Sequence, residues 1–346
     1  MRKIIKKLHL WIGFTFAAPV IILGITGSII IILFSFSDIE KKSLAKNSNI
    51  YNSSYEDLNI ILKHVSNFNG GEITRITFPE SENGKINVRL KDKPQLLVAP
   101  NSFDIKEIPS NSFTRIIINI HKNLLVKWGD FIMGFGGVAM LFLSLSGLIL
   151  WFPKKLSMQS IKLKPHLKGK SFYYNTHAVI GFWTFLFLTI MSFTGIYLSF
   201  PNGFAKPVKN FLNVKAFIAD KDLTPLNLEK VFTSAENATP NTRINAIFFP
   251  SKNNNYFLVN LRMIEAKELY PTQIYLNKSG DILKIKRASD YTLGEKINFL
   301  ISYLHKNQNM GGLWWVWRGL IFITGFLPAF FVFTGFMLWQ KKRVKL

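Results

Sequence analysis

The sequence predicts a membrane α-helical protein with four transmembrane helices in two tandem repeats and two extracytoplasmic α+β modules. Three observations predict it: four long apolar runs, a one-sided distribution of charge, and a set of residue matches at one offset. The 346-residue chain is 48% hydrophobic and 18% charged, and its apolar residues concentrate in Leu8–Phe36, Phe131–Phe152, Ala178–Phe200 and Leu313–Trp339. Each run exceeds the roughly 20 residues needed to cross a ~30 Å hydrocarbon core. The balance of 43 basic against 20 acidic residues, net +23, would suggest nucleic acid in a soluble chain. The apolar runs exclude that class.

In chain order, helix 1 (8–36) leads to an outer module (37–111) and an outer His-Lys-Asn segment (112–127). Helix 2 (130–152), a basic cytoplasmic loop (153–177) and helix 3 (178–200) follow. A second outer module (201–295), a second His-Lys-Asn segment (296–310), helix 4 (313–339) and a short cytoplasmic tail (340–346) complete the chain. The positive amino terminus looks like the start of a signal peptide, but its apolar run is too long for a cleavable one and reads as a retained span.

Charge supplies the orientation. The short segments 1–7, 153–177 and 340–346 hold 14 Lys and Arg and no Asp or Glu, while all 20 acids lie in about 37–130 and 201–312. Lys and Arg accumulate on the cytoplasmic side of short loops, so both termini are expected inside and both long segments outside. The basic clusters also suit anionic lipid headgroups.

Matches at an offset of 168 reveal the repeat: His9, Gly13, Phe14, Thr26 and Gly27 correspond to His177, Gly181, Phe182, Thr194 and Gly195. His121-Lys122-Asn123 precedes the second span as His305-Lys306-Asn307 precedes the fourth, and these spans end in Gly147-x-x-x-Trp151 and Gly335-x-x-x-Trp339. In the first module, Leu58, Ile61, Leu62 and Val65 have helical spacing, followed by strand-like runs at Glu72–Phe78, Lys85–Leu90 and Gln95–Ala99. In the second, a helix over Asn227–Ala238 precedes strands at Arg243–Phe249, Tyr256–Arg262, Thr272–Leu276 and Ile282–Lys286. Alternating patterns bounded by turn residues support these strands.

The His-x-x-x-Gly opening, the Thr-Gly near the far end of the same span, the His-Lys-Asn and the Gly-x-x-x-Trp exit resemble the PepSY-associated transmembrane family. The match covers nearly the whole chain, with the two outer modules corresponding to PepSY-type domains. The resemblance implies a bacterial inner-membrane protein similar to ferric-siderophore reductases that carry b-type haem. Other members of the family are accessory or regulatory proteins.

The histidines bear on that implication. His9 and His177 sit at the cytoplasmic entrances of their helices, and His121 and His305 precede the membrane on the outer side, which gives one pair per face. A haem iron with two axial imidazoles takes one His from each of two facing helices, so two non-covalent b-type haems are expected, one per pair. His121 and His305 could instead lie on short amphipathic helices against the membrane. Gly13 and Gly181, one turn beyond their His, either leave room for a macrocycle or serve close helix packing. Lys6, Lys7, Lys122, Lys170, Lys306 and Arg318 are candidate propionate partners, Arg318 being the one within an apolar span. An Arg snorkelling to an aromatic belt at Trp314-Trp-Val-Trp317 is the competing reading. His64 and His166 have no repeat partner and read as surface residues.

With no cysteine, the chain has no disulfide, no Cys-ligated zinc or iron–sulfur cluster and no c-type haem attachment. No nucleotide-binding glycine motif is present either, so the electron donor is expected to be a quinol or a separate reductase. The activity that the family resemblance implies is reduction of a ferric siderophore or other ferric chelate on the outer side. A non-redox PepSY-type module that binds a partner or restrains a peptidase is the alternative. A solute transporter would want broken helices at mid-membrane, for which Pro19 and Pro328 are the candidates.

Overall fold

A computed structural model describes residues 1–46, 48–69, 71–91, 94–109, 112–152, 157–219, 224–251, 254–263, 269–306 and 314–343. The helices in chain order are α1 (Arg2–Thr15), α2 (Ala17–Lys46), α3 (Tyr55–Asn69), α4 (Phe113–Asn123), α5 (Gly129–Trp151), α6 (Gly169–Ser199), α7 (Lys206–Phe211), α8 (Leu228–Asn237), α9 (Leu293–Lys306), α10 (Trp314–Thr324) and α11 (Leu327–Arg343). The strands are β1 (Ile73–Thr77), β2 (Ile86–Leu90), β3 (Gln95–Val98), β4 (Ile105–Ile108), β5 (Thr242–Phe248), β6 (Phe257–Met263), β7 (Thr272–Leu276) and β8 (Ile282–Lys286). They fall into a helical unit, residues 1–34, 113–211 and 298–346, and a sheet unit, residues 35–112 and 212–297.

Among the described residues, four helical stretches are long and apolar enough to cross a membrane: Ala17–Glu40, Gly129–Trp151, Gly169–Ser199 and Trp315–Gln340. The first and fourth runs are not the single helices that 8–36 and 313–339 suggest. A proline has no N–H and its ring clashes with the carbonyl four residues back. Pro19 acts on Thr15, where α1 stops, and Pro328 acts on Thr324, where α10 stops. At the second break the Phe326 N–H turns to Ile323 O at 3.3 Å, a tighter turn than the α-helical one. The Phe322 carbonyl instead accepts from Ser28 Oγ at 2.9 Å. Here the backbones of α2 and the α10–α11 break meet directly, because a Cβ on Gly24 would lie 2.1 Å from the Gly325 oxygen.

Helix α6 begins at Gly169, nine residues before the expected 178, because nothing after Pro165 interrupts it. The preceding segment folds back on it, with Lys164 N–H donating to Asn175 Oδ1 (2.8 Å) and Trp183 Nε1 to Ile161 O (3.1 Å). Lys154, Lys155 and Asn307 lie outside the described residues.

The sheet unit departs most from expectation. The sequence predicts two modules, residues 37–111 and 201–295, without showing how they join. Eight antiparallel strands among the described residues form one sheet in the order β4-β3-β2-β1-β5-β6-β7-β8. The seam is β1 against β5, pairing Arg75 with Phe248, Ile76 with Ile247 and Thr77 with Ala246. Apart, the modules would each expose an unpaired edge, which pairing removes. One core backs the whole sheet: Leu58, Ile61 and Val65 of α3 and Val231, Phe232 and Ala235 of α8 pack on Ile76, Val88, Leu96, Ile247, Val259 and Ile274. Each large side chain buried this way contributes about 1.5–3 kcal/mol. The edge strand β4, with Lys106 and Glu107 at its centre, has no strand-like apolar alternation and was not anticipated.

Candidate functional site: two imidazole pairs

All four repeated histidines belong to the helical unit, and they meet as the two expected pairs. The His9 and His177 ring centres are 6.3 Å apart, and those of His121 and His305 are also 6.3 Å apart. A metal–imidazole bond is about 2.0–2.1 Å and the ring centre lies roughly 1.1 Å behind its nitrogen, so two imidazoles on opposite sides of one metal stand about 6.2 Å apart. Both pairs have that spacing.

Several contacts place the first pair. His9 rides on α1, whose start is fixed to the end of α5 by Arg2 Nη2 donating to the Leu150 and Phe152 carbonyls at 2.6 and 3.2 Å. Those carbonyls have no partner within a helix, so the cation caps them. His177 rides on α6, edge-on to Phe331 of α11 at 5.1 Å. The exit tryptophans brace the pair crosswise: Trp339 meets Phe14 at 5.5 Å and Trp151 stacks on Phe182 at 4.1 Å.

The second pair sits on separate short helices, one of the two arrangements open from sequence. His121 is in the last turn of α4, after which Leu124, Leu125 and Trp128 adopt left-handed conformations. Bulky residues there are strained by about 1–3 kcal/mol each. The Asn123 carboxamide accepts the Leu125 N–H at 3.0 Å, which gives the Asn of His-Lys-Asn a role in this turn. Gly129 opens α5 where a Cβ would lie 1.7 Å from the Asn123 carbonyl oxygen, so only glycine permits the approach. His305 is in the last turn of α9, held by Trp317 Nε1 donating to Leu304 O at 2.9 Å and by a Tyr197–Asn298 hydrogen bond to α6.

Each ring is half-buried, and each Nδ1 faces a hydroxyl. His9 lies 2.8 Å from Ser146 Oγ, His177 2.7 Å from Thr334 Oγ1, His121 2.9 Å from Thr26 Oγ1 and His305 3.1 Å from Thr194 Oγ1. Thr26 and Thr194 repeat at the offset of 168, though the sequence does not show what they face. Ser146 and Thr334 did not stand out. Their signal is the residue before Gly147 and Gly335, which completes a Ser/Thr-Gly step in every span.

Gly13 and Gly181 are not tight packing points, since a Cβ would meet only Leu143 at 3.7 Å and Phe331 at 3.8 Å. Arg318 is 6% exposed, which does not suit a snorkelling role. Lys6, Lys7, Lys122, Lys170 and Lys306 are exposed. The helical unit carries 21 Lys and Arg and one acid, Asp130, a field that favours anionic groups. His64 and His166 are exposed, as expected, His64 bonding Ile60 O through Nδ1 at 2.8 Å.

Among the described residues, four membrane-length helical stretches with paired imidazoles and a helix-backed antiparallel sheet define a multi-pass membrane protein. The chain belongs to the PepSY-associated TM region family, whose profile matches residues 6–342. No curated protein matches it.

Proposed function

We propose that this chain is a haem-containing reductase of the bacterial inner membrane that passes electrons outward to a ferric siderophore or similar chelate, freeing Fe(II) for uptake. The reading rests on one observation above others: two imidazole pairs with equal 6.3 Å ring separations in one helical unit. His9 and His177 would hold one b-type haem, and His121 and His305 the other.

The residues fit that group. Each pair offers two imidazoles, and among the described residues no cluster of three or more His, Cys, Asp or Glu stands together. Such a donor set suits a metal whose other ligands come from a macrocycle. Room for a methyl at Gly13 and Gly181 fits the macrocycle reading of those glycines better than close packing. The cation-rich unit, with buried Arg318, suits propionates. When bound, each haem supplies a one-electron iron couple. With two imidazoles from the chain holding it, each such group would favour electron transfer over oxygen binding.

Helix α6 carries His177 and, 17 residues on, Thr194 beside His305. At about 1.5 Å per residue the pairs are separated by about 25 Å along the axis, most of a ~30 Å hydrocarbon core. The basic short segments favour the His9–His177 pair inside and the His121–His305 pair outside. Strand order about the β1–β5 seam, with α3 before one half and α8 before the other, supports two tandem copies with PepSY-like modules. A quinol or separate reductase would supply electrons to the inner pair.

The visible spectrum of the detergent-purified protein, oxidised and after dithionite, tests the proposal. A Soret band with bis-imidazole α and β bands on reduction, at two haems per chain, is expected. A chain produced with ample haem that shows no Soret band sinks the redox reading.

A further inference from the structure

We propose that the four Ser/Thr-Gly steps, Thr26-Gly27, Ser146-Gly147, Thr194-Gly195 and Thr334-Gly335, are positioning devices for the four imidazoles. The hydroxyl of each step fixes the tautomer that presents Nε2, and at Gly195 the missing side chain leaves space for the ring edge. The role as ligand positioners rests on the haem reading above, whereas the tautomer is a property of the chain alone.

The proton of each hydroxyl decides the tautomer. Thr26 donates to Ile22 O at 2.5 Å, Thr194 to Ile190 O at 2.7 Å and Thr334 to Phe330 O at 2.8 Å. A hydroxyl has one proton. With it directed to the helix backbone, the oxygen meets Nδ1 as an acceptor, so Nδ1 carries the hydrogen. A neutral imidazole then keeps its lone pair on Nε2. Ser146 is the looser case, since its bond to Leu143 O is 3.4 Å and serine lacks the β-methyl that restricts threonine's χ1. His9 is therefore the least firmly held ring of the four.

The glycines complete the device. A Cβ would lie 3.1 Å from His305 Cε1 at Gly195, 3.5 Å from His121 Cε1 at Gly27, 3.5 Å from His9 Cε1 at Gly147 and 4.0 Å from His177 Cε1 at Gly335. Small residues in membrane helices more often serve backbone contact, as Gly24 does against Gly325. At these four positions the nearest atom is an imidazole carbon, but only at Gly195 is the approach tighter than ordinary van der Waals contact, so it is there that the missing side chain keeps space for a ring.

A hydrogen bond from Nδ1–H makes the imidazole a stronger donor, and losing such an outer partner typically weakens metal retention about 10- to 100-fold. Thr26→Val, Thr194→Val, Thr334→Val and Ser146→Ala should each weaken haem retention at one pair by that range. Each should also shift that haem's potential to more positive values and leave the other haem unchanged. Thr→Ser variants should stay close to wild type. Among the glycines, Gly195→Ala should disturb its haem's spectrum most and Gly335→Ala least. In the haem-free protein with 15N-labelled histidine, NMR should find the proton on Nδ1 in the wild type and a redistributed tautomer in the valine variants. Unchanged potentials and retention in the hydroxyl variants of a two-haem protein would overturn the inference, as would Gly335→Ala disturbing its site as much as Gly195→Ala. A wild type without haem removes the functional reading, and the NMR tautomer then decides the inference alone: Nδ1–H supports it and Nε2–H overturns it.

Discussion

Replacing His177 with alanine separates the two pairs most cleanly. Its ring faces His9 at 6.3 Å, while the other pair lies about 25 Å along α6, too far for either remaining imidazole to substitute. If the proposed two-haem reading holds, the haem content should therefore fall from two per chain to one, halving the Soret area and the dithionite difference spectrum. The fold should survive. Thr334 keeps its bond to Phe330 O, so no hydroxyl is stranded, and the lost hydrogen bond is worth about 1 kcal/mol. Haem extraction as the pyridine adduct gives the stoichiometry, and size exclusion with far-ultraviolet dichroism checks the fold. Added imidazole should restore the lost fraction by taking the vacated axial position. Loss of both haems from a folded protein, or of neither, would refute two independent bis-imidazole sites.

Alkaline phosphatase fused after residue 100 or 260 should be active, and after residue 160 inactive; activity at the last would reverse the orientation. Gly24→Ala should destabilise the helical unit by about 1–3 kcal/mol, because the new Cβ meets the Gly325 oxygen at 2.1 Å. A melting temperature in detergent equal to wild type would show that the crossing yields without cost. Burial raises the Glu295 carboxyl pKa, but bonds to Lys286 and Thr292 outweigh it and hold it below its ordinary value. A lowered folded pKa stabilises above the unfolded carboxylate pKa, and that contribution is lost as pH falls through the folded value. Glu295→Gln should flatten this part of the acid limb of thermal stability; an unchanged limb would show that the Lys286 pair does not control it.

Much of the helical unit was legible because a bilayer requires long apolar runs and prolines act at a fixed distance. The four histidines were legible through repetition at matched offsets, and their pairing followed from depth. The hydroxyl partners were harder to read, since Ser146 and Thr334 are ordinary small residues until helix packing sets them against a ring from another segment. Sheet register was not legible at all. The pairing of Arg75 with Phe248 joins residues 173 apart, and no local alternation specifies which distant edge a strand will meet. The strand β4 was hidden because its polar centre, Lys106-Glu107, obscures period-two burial.

The β1–β5 seam has a consequence for biosynthesis. When β1 to β4 have been made, the β1 edge has no partner, and α5 and α6 must still be synthesised before β5 appears. The first half of the sheet therefore waits, with Ile76 and its neighbours short of the core that α8 helps to complete. Such long-range pairing is slow and leaves strand edges vulnerable meanwhile. A ribosome stalled between the two halves would leave a nascent chain with its histidines unpaired and its sheet half built. Imidazole pairing and sheet closure are thus both late events, completed only when the second half of the chain arrives.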